Sequence, residues 1–281
     1  MLDALRGKQI FFVGGTHKSG TTWFQLLLDA HSAVSCSGEG HLPQLCLYLK
    51  QALDKHDKII VANNNGAFRE IEGYKRLEQS DVSSIYACCI KIVLAKQLDK
   101  KDALIVGDRT PHNVRYLHGL ANLFPTAKFI HLVRDGRDCA VSSWFHNQRL
   151  RKIWNAPEPA GISLEAMSRK FADLWASDLM KAKIFNDENP GRMLQVRYED
   201  LSDENTLADV FRFLGVDAGE ASTCHKLASF KKLAGRNPGE EDRSSFFRKG
   251  IVGDWRNHLS PKAELVFREQ AGAWLERLGY Q

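Results

Sequence analysis

Residues 10–23 constrain the fold more than any other stretch. A short, wholly apolar run, Ile10-Phe11-Phe12-Val13, leads into Gly14-Gly15-Thr16-His17-Lys18-Ser19-Gly20. Residues 21–31 then carry Trp23, Phe24, Leu26, Leu27 and Leu28 on a helical pattern. A buried strand, a glycine-rich turn and a helix start in that order describe a strand feeding a crossover helix. Strands joined through helices lie parallel, so the predicted fold class is α/β, with a central, mostly parallel sheet flanked by helices. Further strands are expected at 33–36, 85–93, 103–106, 127–133 and 193–198. Helices are expected at 41–54, 113–124, 139–148, 164–186, 206–214 and 261–278. Asn63-Asn64-Asn65-Gly66 reads as a turn, and 234–253 as a long loop. No linker, repeat or low-complexity tract divides residues 1–281, so one domain is the simplest account.

Composition narrows the function. Hydrophobic residues make up 43% and charged residues 26%, which excludes a disordered or fibrous chain. Thirty-nine Lys and Arg against 34 Asp and Glu leave a formal charge of +5. That mild excess suits one small anionic ligand and speaks against nucleic acid, which asks for a dense basic stripe. No apolar run reaches the length of a membrane span, so no membrane partner is expected and a cytoplasmic location is. Six cysteines show no Cys-x-x-Cys spacing and read as buried free thiols in a reducing compartment.

The glycine-rich turn places backbone N–H groups at a helix start, where they surround phosphate. Ser19, Thr21 and Thr22 add hydroxyl donors. Gly15 and Gly20 almost meet the G-x-x-x-x-G-K-[ST] pattern of nucleotide triphosphatases, but Thr21 stands where its lysine belongs. The cation is Lys18 instead, two residues before Gly20. The ligand is therefore expected to be a phosphate-bearing nucleotide. A second constellation follows the strand at 127–133, where Arg134 sits at the strand end and Ser142 eight residues later. A guanidinium fork plus a hydroxyl suits a second phosphate. The third is Arg248-Lys249-Gly250-Ile251-Val252-Gly253-Asp254-Trp255.

Taken together, these motifs resemble sulfotransferases that use 3′-phosphoadenosine-5′-phosphosulfate (PAPS), across residues 10 to about 258. The resemblance implies a P-loop nucleotide-hydrolase-like fold, PAPS as co-substrate, adenosine 3′,5′-bisphosphate (PAP) as product, and no metal. It implies that Lys18-Ser19-Gly20-Thr21-Thr22-Trp23 forms the 5′-phosphosulfate loop, with Lys18 on the bridging oxygen and Trp23 on adenine. Arg134 and Ser142 match the family's 3′-phosphate site, and Arg248, Lys249 and Gly250 cap it from the loop side. Tyr198, in Arg197-Tyr198-Glu199-Asp200-Leu201, and the pair Ser229-Phe230 match positions beside the adenine.

Sulfuryl transfer needs an in-line path, fixed cations for the leaving phosphate and a base for the acceptor proton. Lys18 is the electrostatic and acid candidate. Glu39, just after the first helix and a short strand, is one candidate base and is similar in setting to a glutamate of the tyrosylprotein and bacterial branches. His112 is the other, in Asp108-Arg109-Thr110-Pro111-His112, where cytosolic-type enzymes carry a histidine without the inserted proline. The segment 234–247 is a candidate lid. The acceptor is expected to be a small alcohol, phenol or amine, held by residues around 39–54, 63–74 and 145–161, with Phe68, Tyr74, Phe145 and Trp154 as aromatic contributors. The cytosolic dimer motif would fall on Arg256, Ser260, Pro261 and Leu265, where most positions differ, leaving monomer and homodimer both open. A P-loop kinase is the alternative function, opposed by Thr21.

Overall fold

The structure is a computed structural model that describes residues 2–71, 73–155 and 163–281. Five parallel strands form one sheet: β1 Gln9–Gly14, β2 Val34–Ser35, β3 Ile105–Arg109, β4 Lys128–Val133 and β5 Met193–Arg197. Their order is β2-β3-β1-β4-β5. Helices are α1 Thr21–Asp29, α2 Leu42–Asn65, α3 Gln79–Gln97, α4 Leu117–Leu123, α5 Gly136–Trp154 and α6 Leu164–Glu188. The chain continues through α7 Glu204–Leu214, α8 Ala221–Leu227, α9 Phe230–Ala234 and α10 Pro261–Arg277.

Alternation along β1 builds both faces of the core. Phe11 and Val13 pack with Phe24, Leu27 and Leu28 of α1 and with Val210 and Phe211 of α7. Phe12 points the other way, against Phe129, Ile90 and Leu94 of α3 and Phe185 of α6. Each such side chain, when fully buried, contributes about 1.5–3 kcal/mol. Gly107 lies opposite Phe11 in the β1–β3 register, and a Cβ there would fall 2.2 Å from the Phe11 ring. A second core joins α5, α6 and α10 through Trp175, Phe171, Phe267 and Leu275. Because β3 and β4 flank β1 on opposite sides, the chain reverses direction there and leaves a crevice at the carboxyl ends of the strands.

Four sequence expectations are corrected. Residues 85–93 are not a strand but the middle of α3. The run is rich in Ile, Val and Cys, yet the buried side chains Ile90, Leu94 and Gln97 recur at helical spacing. A reciprocal capping box between Glu78 and Asp81 starts that helix. Helix α2 does not stop at Asp54 but runs to Asn65, with Gly66 as its C-cap. The predicted helix at 113–124 is split into a 3₁₀ turn, Pro111–Arg115, and α4. Cys36, Cys139 and Cys224 are buried free thiols, whereas Cys88 is exposed.

Candidate active site

The crevice collects the ends of four strands. β1 delivers the phosphate loop, β3 delivers Arg109 and the turn bearing His112, β4 delivers Arg134, and β5 delivers Tyr198. The loop after β1 is tightly constrained. A Cβ on Gly15 would fall 2.3 Å from the Leu132 carbonyl oxygen, so only glycine lets the chain pass β4 at this height. Gly20 has φ +93°, and a Cβ there would fall 2.3 Å from the Tyr198 ring. Lys18 holds φ +71°, a left-handed conformation that costs a non-glycine residue about 1–2 kcal/mol. The surroundings compensate. Ser19 N–H donates to the Thr16 carbonyl at 3.1 Å. Thr16 Oγ1 donates to Asp178 of α6 at 3.1 Å, and Asp178 takes a two-pronged ion pair from Arg115.

Lys18 Nζ lies 5.2 Å from the centre of the Phe246 ring. Burial, reinforced by Arg149 and Arg134, pulls the Lys18 ammonium down to about 8. The buried Ser19 hydroxyl has no hydrogen-bond partner. An unpaired buried donor next to a half-buried cation, in a loop whose glycines at 15 and 20 carry no side chain, fits a phosphate or sulfate group.

The second motif joins the first. Arg134 donates to the Lys18 carbonyl at 3.5 Å, to the Ile251 carbonyl at 3.2 Å and to Asp138 at 3.3 Å. Its guanidinium also covers the Tyr198 ring at 4.4 Å, and Trp23 meets the same ring edge-on at 5.5 Å. Asp138 then accepts from the backbone N–H groups of Gly253 and Trp255 at 2.8 and 2.9 Å, tying α5 to the third motif. Ser142, Lys18 and Arg248 line one small cavity of about 20 Å³. Trp23 Nε1 donates to the Ala228 carbonyl at 2.8 Å, bringing Ser229 and Phe230 near. Gly250, with φ +65°, packs so closely on Phe230 that a Cβ would fall 2.4 Å from the ring. Thr21 and Thr22 open α1.

The third motif lies against the second through Asp138, and its charges are already engaged. Arg248 pairs with Glu241 and Asp254, and Lys249 with Asp254 at 2.7 Å. Burial alone would raise the Asp254 carboxyl, but hydrogen bonds from Lys249, Asn257 and Arg248 hold it well below the usual carboxylate range. The segment 234–253 is ordered by Arg236, which donates to the Ala234, Glu240, Phe247 and Arg248 carbonyls. It carries Phe246 over Lys18, the position a lid would take.

Both candidate bases face this region. Glu39 accepts from Arg109 at 3.1 Å, and Arg109 also donates to Gln25 at 2.8 Å. Gln44 Nε2 lies 3.3 Å from His112 Nδ1. Burial and then Arg115 lower the His112 imidazole below its usual range, which leaves it neutral at pH 7. Of the aromatic residues expected around an acceptor, Phe145 lines the cavity under Arg248. Phe68 and Tyr74 pack on each other at 5.0 Å instead, Trp154 is exposed, and 156–162 lie outside the described residues. Sequence reasoning missed Asp138, Asp178, His146 and Arg149. The last two recur on α5 at four and seven residues from Ser142, a helical spacing that marks one face.

Residues 10–220 match the profile described as the sulfotransferase family. A putative protein-tyrosine sulfotransferase from Caenorhabditis briggsae is 28% identical over 78% of this chain and 69% of its own length. Protein-tyrosine sulfotransferase 2 of Gallus gallus is 25% identical over 96% of this chain and 69% of its own. Among solved structures, a mouse sulfotransferase complexed with PAP superposes with a TM-score of 0.59 at 20% identity, covering 98% of this chain and 89% of that one. Since the matched residues contain the phosphate loop, both candidate bases and the Arg134–Ser142 strand end, the chain belongs to the sulfotransferase family.

Proposed function

We propose that this protein transfers the sulfuryl group of PAPS to an acceptor hydroxyl and releases PAP. The observation that carries this is Lys18, a half-buried cation without a carboxylate ion-pair partner among the described residues, set in a loop where Gly15 and Gly20 admit no side chain. The acceptor oxygen attacks sulfur as the bond from sulfur to the bridging oxygen breaks. The released pair of electrons stays on the 5′-phosphate, where Lys18 and the loop N–H groups offset the developing charge. The acceptor proton passes to Glu39, which Arg109 orients, or to the neutral His112. Arg134 and Ser142, with Gly250 behind Phe230, take the 3′-phosphate end. Tyr198 and Trp23 take the adenine.

The acceptor we favour is a small phenol. The relatives are named for tyrosine, whose reacting group is a phenolic oxygen, and a free phenol presents the same atom. Phe246 covers Lys18 and narrows the approach, which favours a small body over a folded polypeptide. Melting in the presence of PAP against ATP tests the donor. At 100 times its Kd, PAP adds about 2.7 kcal/mol, a rise of roughly 5–10 °C for a chain of this size. A larger rise with ATP and magnesium would instead mark a kinase. Initial rates with free phenols and a tyrosine peptide then decide the acceptor class.

A further inference from the structure

The cavity beside Lys18 holds two cations, Arg149 and Arg243, beyond those the donor motifs use. Its walls carry Lys18, Arg149, Arg243 and Arg248, and no carboxylate. Arg243 and Arg248 share Glu241. Lys18 and Arg149 have no ion-pair partner among the described residues. Helix α5 presents Ser142, His146 and Arg149 to the cavity as one row, two turns long. Arg149 Nη2 lies 3.4 Å from His146 Nδ1. Burial, with Lys18 and Arg149 adding, pulls the His146 imidazole down to about 4, so the ring is neutral and accepts this bond. What covers the two free cations is the face of Phe246, 5.2 Å from Lys18 Nζ and 5.6 Å from Arg149 Cζ. An aromatic face attracts a cation but compensates it less than an anion does.

Two like charges in a small, poorly solvated space repel; in the proposed reading the donor's phosphosulfate answers Lys18 and its 3′-phosphate answers Arg248 beside Ser142, which leaves Arg149. Building on the sulfuryl-transfer reading, we infer that Arg149 is a specificity-determining residue that binds a carboxylate carried by a small phenolic acceptor, on the α5 side of Lys18. Arg149 supplies the fork, and His146 holds it in place. Phe246, half-exposed on its loop, is the group that swings aside.

The test is a charge series at constant ring size: 4-hydroxyphenylacetate, 4-methylphenol and tyramine, assayed with PAPS at low and high salt. The anion is expected to show kcat/KM about tenfold above the neutral phenol, the size of one charge-assisted contact, with tyramine lowest. In Arg149→Gln that advantage should shrink to about unity while the KM for PAPS, measured with 4-methylphenol, stays within about twofold. Arg149→Lys should restore part of the advantage. Equal losses on all three phenols, or a rise in the KM for PAPS in step with them, would make Arg149 a donor ligand and overturn the inference. So would absence of an anion preference in the parent protein, read by calorimetry on the PAP-loaded form if turnover is low. PAP-induced stabilisation, measured first on the same sample, separates this failure from failure of the donor reading.

Discussion

The phosphate loop and the Arg248–Gly250 cap are assigned to the same proposed ligand, but different forces hold them. The loop is fixed by what surrounds it: the Leu132 carbonyl under Gly15, the Tyr198 ring against Gly20 and the Asp178–Arg115 brace behind Thr16. The cap is held by its own charges, with Glu241 and Asp254 neutralising Arg248 and Lys249. On the proposed reading, one half of the donor site is therefore preorganised by packing, and the other exchanges internal carboxylates for phosphate. Packing is insensitive to salt, whereas partly exposed ion pairs are screened by it.

The comparison breaks most readily at Lys18. Lys18→Ala should lower kcat/KM by about 10²–10³-fold, the usual effect of removing one group that stabilises developing charge. Calorimetry should show PAP binding weakened far less. Comparable losses in both would make Lys18 a binding residue only. Next is Gly20→Ala. The backbone there is left-handed and the new methyl would meet the Tyr198 ring, so a loss of about 3 kcal/mol in chemical denaturation is expected. The corresponding Gly250→Ala in the cap, against Phe230, should cost less global stability, because its neighbours belong to a surface segment.

The pH profile sharpens the contrast. Lys18 is charged below about 8 and neutral above it, since burial, Arg149 and Arg134 favour the uncharged amine. The kcat/KM for PAPS should thus fall about tenfold per pH unit above that point, with the limb moved upward in kcat, where bound donor favours the ammonium. A profile flat to pH 10 would remove Lys18 from the charge-bearing role.

The legible parts are those where local pattern and tertiary fate agree. The run Ile10-Phe11-Phe12-Val13 is apolar throughout because both faces of β1 are covered, and its glycines are there because β4 and Tyr198 leave no room. Residues 85–93 misled because an apolar, β-branched run looks alike in a buried strand and on a half-buried helix. The caps at Glu78 and Gly66 were the better signals. Arg134 and Ser142 were legible through a motif, while His146 lay unmarked inside the helix expected at 139–148 and Arg149 fell just past its expected end. Asp138 and Asp178 were hidden for another reason. Each acts by joining segments more than 100 residues apart, or more than 60 in the case of Asp178 with Arg115, and no local pattern records such a partner.

The smallest effect is the most diagnostic of the cap. Glu241 takes two arginines but remains partly exposed, so Glu241→Gln should change stability by only about 0.2–1 kcal/mol. It should nevertheless tighten PAP by roughly threefold at low salt, because Arg248 no longer has to leave that carboxylate to reach a phosphate. The gain should vanish at high salt, where the ion pair is screened in the parent protein as well. The opposite outcome, weaker PAP binding at every ionic strength, would mean that Glu241 aims Arg248 at the ligand, and that the cap is as preorganised as the loop it faces.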